Sequence, residues 1–193
     1  MRLSLLLIVF IEIYSVYYID FDAVIKDMVI RHNKYRKLHR LEEIKYDDEL
    51  AKIALNSSNR MADEMVFYYS NSTYNGKSLG ENFFFCDTFD GLPCLDQYDI
   101  TFYWYREYYT YCMSTNSFPE DSRNFITMMW KETTSMGCGI RYQRYWDCMD
   151  AYFVVCVYYP GIDRVYGAPP EEIARNMQDR IGEDDIEKNP APC

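Results

Sequence analysis

The chain has 193 residues, enough for one domain with a sizeable core, and its 49% hydrophobic and 26% charged residues exclude a generally disordered chain. The formal net charge is −10, which excludes the usual nucleic-acid binders because polyphosphate repels such a surface. The same charge disfavours adsorption to anionic headgroups, while leaving a neutral lipid free to enter an apolar groove.

In chain order, residues 1–18 read as a signal peptide. Arg2 supplies the positive n-region, and Leu3 to Ile11 form an apolar run broken only by Ser4, far too short to span a bilayer. Ser15 offers a small residue for cleavage; Glu12, Tyr14, Tyr17 and Tyr18 depart from the usual pattern, and a buried N-terminal strand is the competing reading. Asp22 is placed to cap a first helix to about Lys37, with Ile25, Met28, Val29 and His32 on one face. Asp47 caps a second helix in which Leu50, Ile53, Ala54 and Met61 recur at helical steps. Asn71 to Gly76 is turn-rich, and Leu79 to Phe85 ends in a Phe-rich run suited to a buried strand.

Asp87 to Asp99 reads as a loop, Tyr98 to Tyr111 as an aromatic helix, and Ser122 to Glu132 as a shorter helix. Gly137 to Tyr142 and Tyr152 to Tyr158 read as strands, the second with the continuous apolar run of a strand covered on both faces. Pro169 and Pro170, followed by Glu171 and Glu172, start a short helix that Arg180 and Gly182 would end. An acidic, Pro-rich tail completes residues 169–193, leaving 19–168 as the main domain. Interleaved helices and strands favour a layered α/β architecture.

The seven cysteines behind a signal peptide imply disulfides made in an oxidising compartment. No C-x-x-C pair occurs, and there are only two histidines, so a zinc finger is disfavoured. Asn56 and Asn71 each begin an N-x-S/T sequon and are glycosylation candidates on a secreted chain.

Ordered motifs carry a family resemblance. His32-Asn33-Lys34-Tyr35-Arg36 resembles an H-N-x-x-R helix, Tyr46 to Ala51 a W-[DN]-x-x-L-A helix start, and Gly80-Glu81-Asn82 a G-E-N strand. Trp104 to Glu107 with Tyr111 resembles W-x-x-E-x-x-x-Y. Arg123 to Trp130, Gly137-Cys138-Gly139 and Phe153 to Gly161 complete the series. Over residues 23–161 the chain is similar to the CAP superfamily of cysteine-rich secretory, antigen 5 and pathogenesis-related-1 proteins. The implied fold is that family's disulfide-bonded three-layer α-β-α sandwich with an SCP domain.

The resemblance also implies a surface cleft in which two histidines and two glutamates converge, often on a divalent metal. The positions carried over are His32, Glu81, Glu107 and Asn124, the last standing where the family has its second histidine. An amide oxygen is a poor zinc ligand, so His32 is left as the one imidazole for a metal. His39 lies nearly two helical turns on and is expected to face solvent. The expectation is no required cofactor, with a hydrogen-bonded network or a loosely held divalent ion at the tetrad. The family pattern pairs Cys138 with Cys156. Cys148 would reach Cys86, Cys94 or Cys112, although Cys86 and Cys94 can instead pair locally, and Cys193 is left for a free thiol or a dimer bond.

The implied function is that of a secreted, extracellular, venom-allergen-like and immunomodulatory protein without enzymatic activity. It would bind a sterol or fatty acid, or an extracellular protein, neither crossing a membrane nor binding nucleic acid. Tyr103, Trp104, Tyr108, Tyr109 and Tyr111 are candidates for an apolar groove wall or for ordinary packing. The alternative is an extracellular hydrolase, metal-dependent or not, using the His32/Glu81/Glu107 cleft. An ion-channel toxin is disfavoured because only Cys193 follows Cys156.

Overall fold

A computed structural model describes residues 19–70, 72–89, 94–145, 149–163 and 166–180. Helix α1 (Phe21–Leu38) begins two residues earlier than the Asp22 cap predicts. Asp20 is the N-cap, and its carboxylate accepts from the Ala23 main-chain N–H at 3.1 Å. Strand β1 (Lys45–Tyr46) is short and was not foreseen; helix α2 (Asp48–Glu64) follows it, capped as expected by Asp47. A small hairpin of β2 (Thr73–Tyr74) and β3 (Lys77–Ser78) turns on Asn75 and Gly76, both at positive φ. The remaining elements are β4 (Gly80–Thr88), α3 (Ile100–Tyr105), α4 (Arg123–Met128), β5 (Ser135–Tyr145), β6 (Met149–Tyr159) and α5 (Pro170–Asn176).

The predicted aromatic helix is shorter than the sequence suggests. After α3 the chain tightens into a 3-10 turn over Arg106–Tyr109. Aromatic residues are indifferent helix formers, and burial of Trp104, Tyr105 and Tyr111 decides the local path instead.

The main sheet has the order β1-β5-β6-β4, with β1 parallel to β5 and the other neighbours antiparallel. The continuous apolar run of β6 is therefore a central strand, as its sequence predicts. Its alternate side chains serve two cores. Phe153, Val155 and Val157 pack with Leu50, Ala54 and Met61 of α2. Val154, Cys156 and Tyr158 join Met28 of α1, Trp104 of α3 and Phe125 of α4. Helix α2 thus covers one face and α1, α3 and α4 the other, which is the expected three-layer α-β-α sandwich.

The disulfide Cys138–Cys156 joins residues directly opposite one another on β5 and β6. Cys86 pairs locally with Cys94, the second of the two arrangements left open above, and Cys112 is also disulfide-bonded. Cys148 and Cys193 lie outside the described residues, as do the signal-peptide segment, Asn71 and residues 181–193.

Helix α5 forms where the Pro-Pro-Glu-Glu start predicts, but it ends at Asn176, before Arg180. Ile173 and Met177 enter the same core as α1 and α4. Asn176 accepts from Lys131 N–H through its carbonyl (3.1 Å) and from Glu132 N–H through its side chain (3.0 Å), which fixes the segment to the sandwich. Among the described residues no helix is long and apolar enough to cross a membrane.

Candidate functional site

The H-N-x-x-R segment occupies the core side of α1, because positions four apart share a helix face. Met28, His32 and Arg36 are its buried residues. Asn33 exchanges two hydrogen bonds with the backbone of Ile44, donating to its carbonyl (3.0 Å) and accepting from its N–H (2.9 Å). Arg36 is fully buried and donates to the carbonyls of Glu42, Met128, Trp130 and Thr133 at 2.9–3.1 Å. Burial pushes its pKa down to about 10, so it stays charged at neutral pH. The motif is a clamp that binds α1 to three segments of main chain.

His32 goes into this core and does not meet the carboxylates. It is fully buried; Nδ1 lies 2.7 Å from the Met28 carbonyl and Nε2 lies 2.8 Å from the Tyr158 hydroxyl. A carbonyl can only accept, so Nδ1 carries the proton and Nε2 accepts from Tyr158. The expected tetrad therefore lacks its imidazole. The reason was visible in the helical spacing, which already puts His32 on the face shared with Met28. His39 likewise departs from its expected solvent position. It is fully buried, with Nδ1 donating to the Gln178 carbonyl (2.7 Å) and Nε2 accepting from the Tyr105 hydroxyl (3.0 Å).

Burial lowers the His32 pKa from 6.5 to about 4, and burial also lowers that of His39. Between those two pH values the unfolded chain binds a proton at residue 32 that the native state refuses, so stability rises with pH. The contribution is fully present above the unfolded value of 6.5 and is lost as pH falls to about 4. At 1.36 kcal/mol per pKa unit it is on the order of 3 kcal/mol. Urea unfolding at the two ends of this window should show a loss in the wild type that His32→Gln reduces by the His32 share, the part owed to His39 remaining; equal losses in both proteins would refute the assignment.

Glu81, Glu107 and Asn124 sit on neighbouring elements. Glu107, on the 3-10 turn after α3, caps α4 from outside: Oε2 accepts from the main-chain N–H of Asn124 (2.7 Å) and Phe125 (3.1 Å). Oε1 accepts from the Asn124 side-chain amide at 2.6 Å. Asn82 of β4 donates to the Asn124 carbonyl at 3.0 Å, holding the same residue from the sheet. Glu81, one position earlier, is nearly fully buried and accepts from Ser70 N–H (2.7 Å) and the Ser70 hydroxyl (2.9 Å). The structure thus joins Glu107 to Asn124 and gives Glu81 to the loop before β2.

Glu107 accepts hydrogen bonds through both oxygens and Glu81 through Oε2, so a metal on those oxygens would have to displace them. Among the described residues no group of three or more His, Cys, Asp or Glu side chains could hold a metal ion. With His32 facing elsewhere and an amide at residue 124, the donor set does not fit a two-histidine zinc centre. Sequence reasoning missed the roles of Ser70, Asn82 and Tyr158; Asn82 and Tyr158 carried a signal, the one in the Gly80-Glu81-Asn82 match and the other in the Phe153 to Gly161 match.

A cavity of about 440 Å³ lies elsewhere, between α1 and the start of α3. Val24, Met28, Leu95, Tyr98 and Ile100 supply its apolar wall, and Asp27, Arg31 and Asp99 its charged part. The start of the aromatic segment therefore contributes a cavity wall, while Trp104 and Tyr111 are core and Tyr103 and Tyr109 are exposed.

The model of the cysteine-rich secretory protein family matches residues 29–158. Among solved structures, MpPR-1i superposes with a TM-score of 0.53 at 18% identity, over 78% of this chain and 96% of that one. Hookworm platelet inhibitor gives 0.52 at 18% identity, over 80% and 77%. NaASP2, solved with Zn2+, gives 0.51 at 22% identity, over 81% and 87%. At these identities the structures share the fold. The family match spans more than half of the sequence, over α1, the β4 Gly-Glu-Asn and the Cys138–Cys156 strands: the chain belongs to the cysteine-rich secretory protein (CAP) family.

Proposed function

We propose that the protein is an extracellular, non-enzymatic carrier of a small lipid, a sterol or a fatty acid. The observation that supports this reading is the cavity between α1 and α3, whose volume of about 440 Å³ suits a small amphiphile and whose wall is part apolar and part polar. Family membership and the disulfides agree with an oxidising, extracellular setting. Asn56 is exposed on α2 and accessible to a glycan. A loosely held divalent ion at Glu81 or Glu107 is not needed for this role. The hydrolase alternative asks His32 to act as a base, yet both of its ring nitrogens are engaged inside the core.

The test is extraction and mass spectrometry of the oxidised, secreted protein, followed by titration with labelled sterol and fatty acid. A stoichiometric lipid, lost in a cavity-filling Val24→Trp variant of unchanged melting temperature, is the expected result. A protein that arrives empty and binds no amphiphile, whatever its head charge, would overturn the reading and favour a protein partner.

A further inference from the structure

The charged end of the cavity has a definite sign. Asp27, Arg31 and Asp99 all line it. Arg31 is already shared between the two acids, with Nε 2.5 Å from Asp27 Oδ2 and a terminal nitrogen 2.6 Å from Asp99 Oδ2. The sum is −1 −1 +1 = −1, so an entering carboxylate meets a net negative charge and a guanidinium already engaged. Asp99 is also fixed in place, since its other oxygen caps α3 by accepting from Phe102 N–H at 2.9 Å. Thr101 lines the same cavity; it is fully buried and its hydroxyl has no hydrogen-bond partner among the described residues. A buried hydroxyl left alone invites a polar head. Half-exposed Tyr98 adds an aromatic face of the kind that attracts cations.

We propose that this cavity selects amphiphiles with a protonated amine head and rejects those with a carboxylate. The inference rests on the lipid-carrier reading and replaces its fatty acid with a cationic amphiphile: an apolar body lies against Val24, Met28, Leu95 and Ile100, while an ammonium sits near Asp27 and Asp99 with Thr101 as a further acceptor. Neutral heads such as a sterol hydroxyl rank between the two.

The experiment compares dodecylamine, dodecanol and dodecanoate, which share one tail, by calorimetric titration of the full secreted protein at neutral pH. The amine should bind at least about tenfold more tightly than the carboxylate, with a preference that shrinks as salt rises. Combining Asp27→Asn with Asp99→Asn turns the local sum from −1 to +1, because Arg31 remains, and asparagine still caps α3. That variant should reverse the order. Equal or tighter dodecanoate binding to the wild type overturns the charge selection and leaves the carrier reading standing. An unchanged order in the double variant overturns it as well, as does amine binding that survives Val24→Trp, which would mark adsorption to the acidic surface. If none of the three binds, the carrier reading and this inference fall together.

Discussion

Replacing Arg36 with leucine should cost the protein about 4 kcal/mol or more, measured by urea unfolding with the disulfides intact. This one guanidinium serves four main-chain carbonyls, Glu42, Met128, Trp130 and Thr133, of which Trp130 also accepts from a second donor, the Thr133 N–H at 3.1 Å. Each buried acceptor left without a donor costs about 1–3 kcal/mol, and leucine supplies none. Total stabilities are typically about 5–15 kcal/mol, so the variant should populate unfolded chain even without urea. Arg36→Lys keeps the charge but not the planar fork, and should recover only part of the loss. A leucine variant within about 1 kcal/mol of the wild type would show that the clamp is not what holds α1 in place.

Arg36 also illustrates what the sequence could and could not reveal. The H-N-x-x-R string was recognisable, yet its three polar residues turn out to serve the fold. The helical spacing that put His32 level with Met28 was the better guide, since a shared face meant a shared core. The strand of β6 was legible because a strand covered on both faces needs an unbroken apolar run, and Asp47 was legible because a cap acts on its own neighbours. The motif drew attention to Glu107 but not to its hydrogen bonds with the start of α4. The carboxylate reaches donors 17 and 18 positions away across a 3-10 turn that no local pattern announces. The cavity was still less visible, for Arg31 meets Asp99 across a sequence separation of 68. Charges at that distance signal nothing until helices α1 and α3 are laid side by side.

These placements bear on function. The conspicuous carboxylates, Glu81 and Glu107, stabilise loop and helix starts, whereas the acids that face a cavity, Asp27 and Asp99, belong to no motif. A search guided by motifs would therefore mutate Glu81 and Glu107 and read a folding defect as a loss of activity. Asp27 and Asp99, bound only to a partly exposed arginine and a helix cap, can be neutralised with little effect on the fold.

The second large effect belongs to the packing of α2 on the sheet. Gly137→Ala should destabilise the protein by about 3 kcal/mol or more, at or beyond the upper end of ordinary overpacking. A β-carbon at residue 137 would lie 2.1 Å from the Ala51 nitrogen and 2.4 Å from the Leu50 carbonyl carbon. These are backbone atoms of α2, so no side-chain rotation relieves the overlap, and the whole helix must lift from β5. Lifting it uncovers Leu50, Ala54 and Met61, the side chains that meet Phe153, Val155 and Val157 of β6. Gly139 repeats the contact two residues along the strand, 2.3 Å from the Leu55 nitrogen, and Gly139→Ala should behave alike. Gly76→Ala is the control. Its β-carbon would meet nothing within 4 Å, and only the positive φ of 74° penalises it, by about 1 kcal/mol. Parallel urea curves should rank Gly137→Ala and Gly139→Ala far below Gly76→Ala. Three equal losses would mean that α2 rides on the sheet loosely enough to make room for a methyl group.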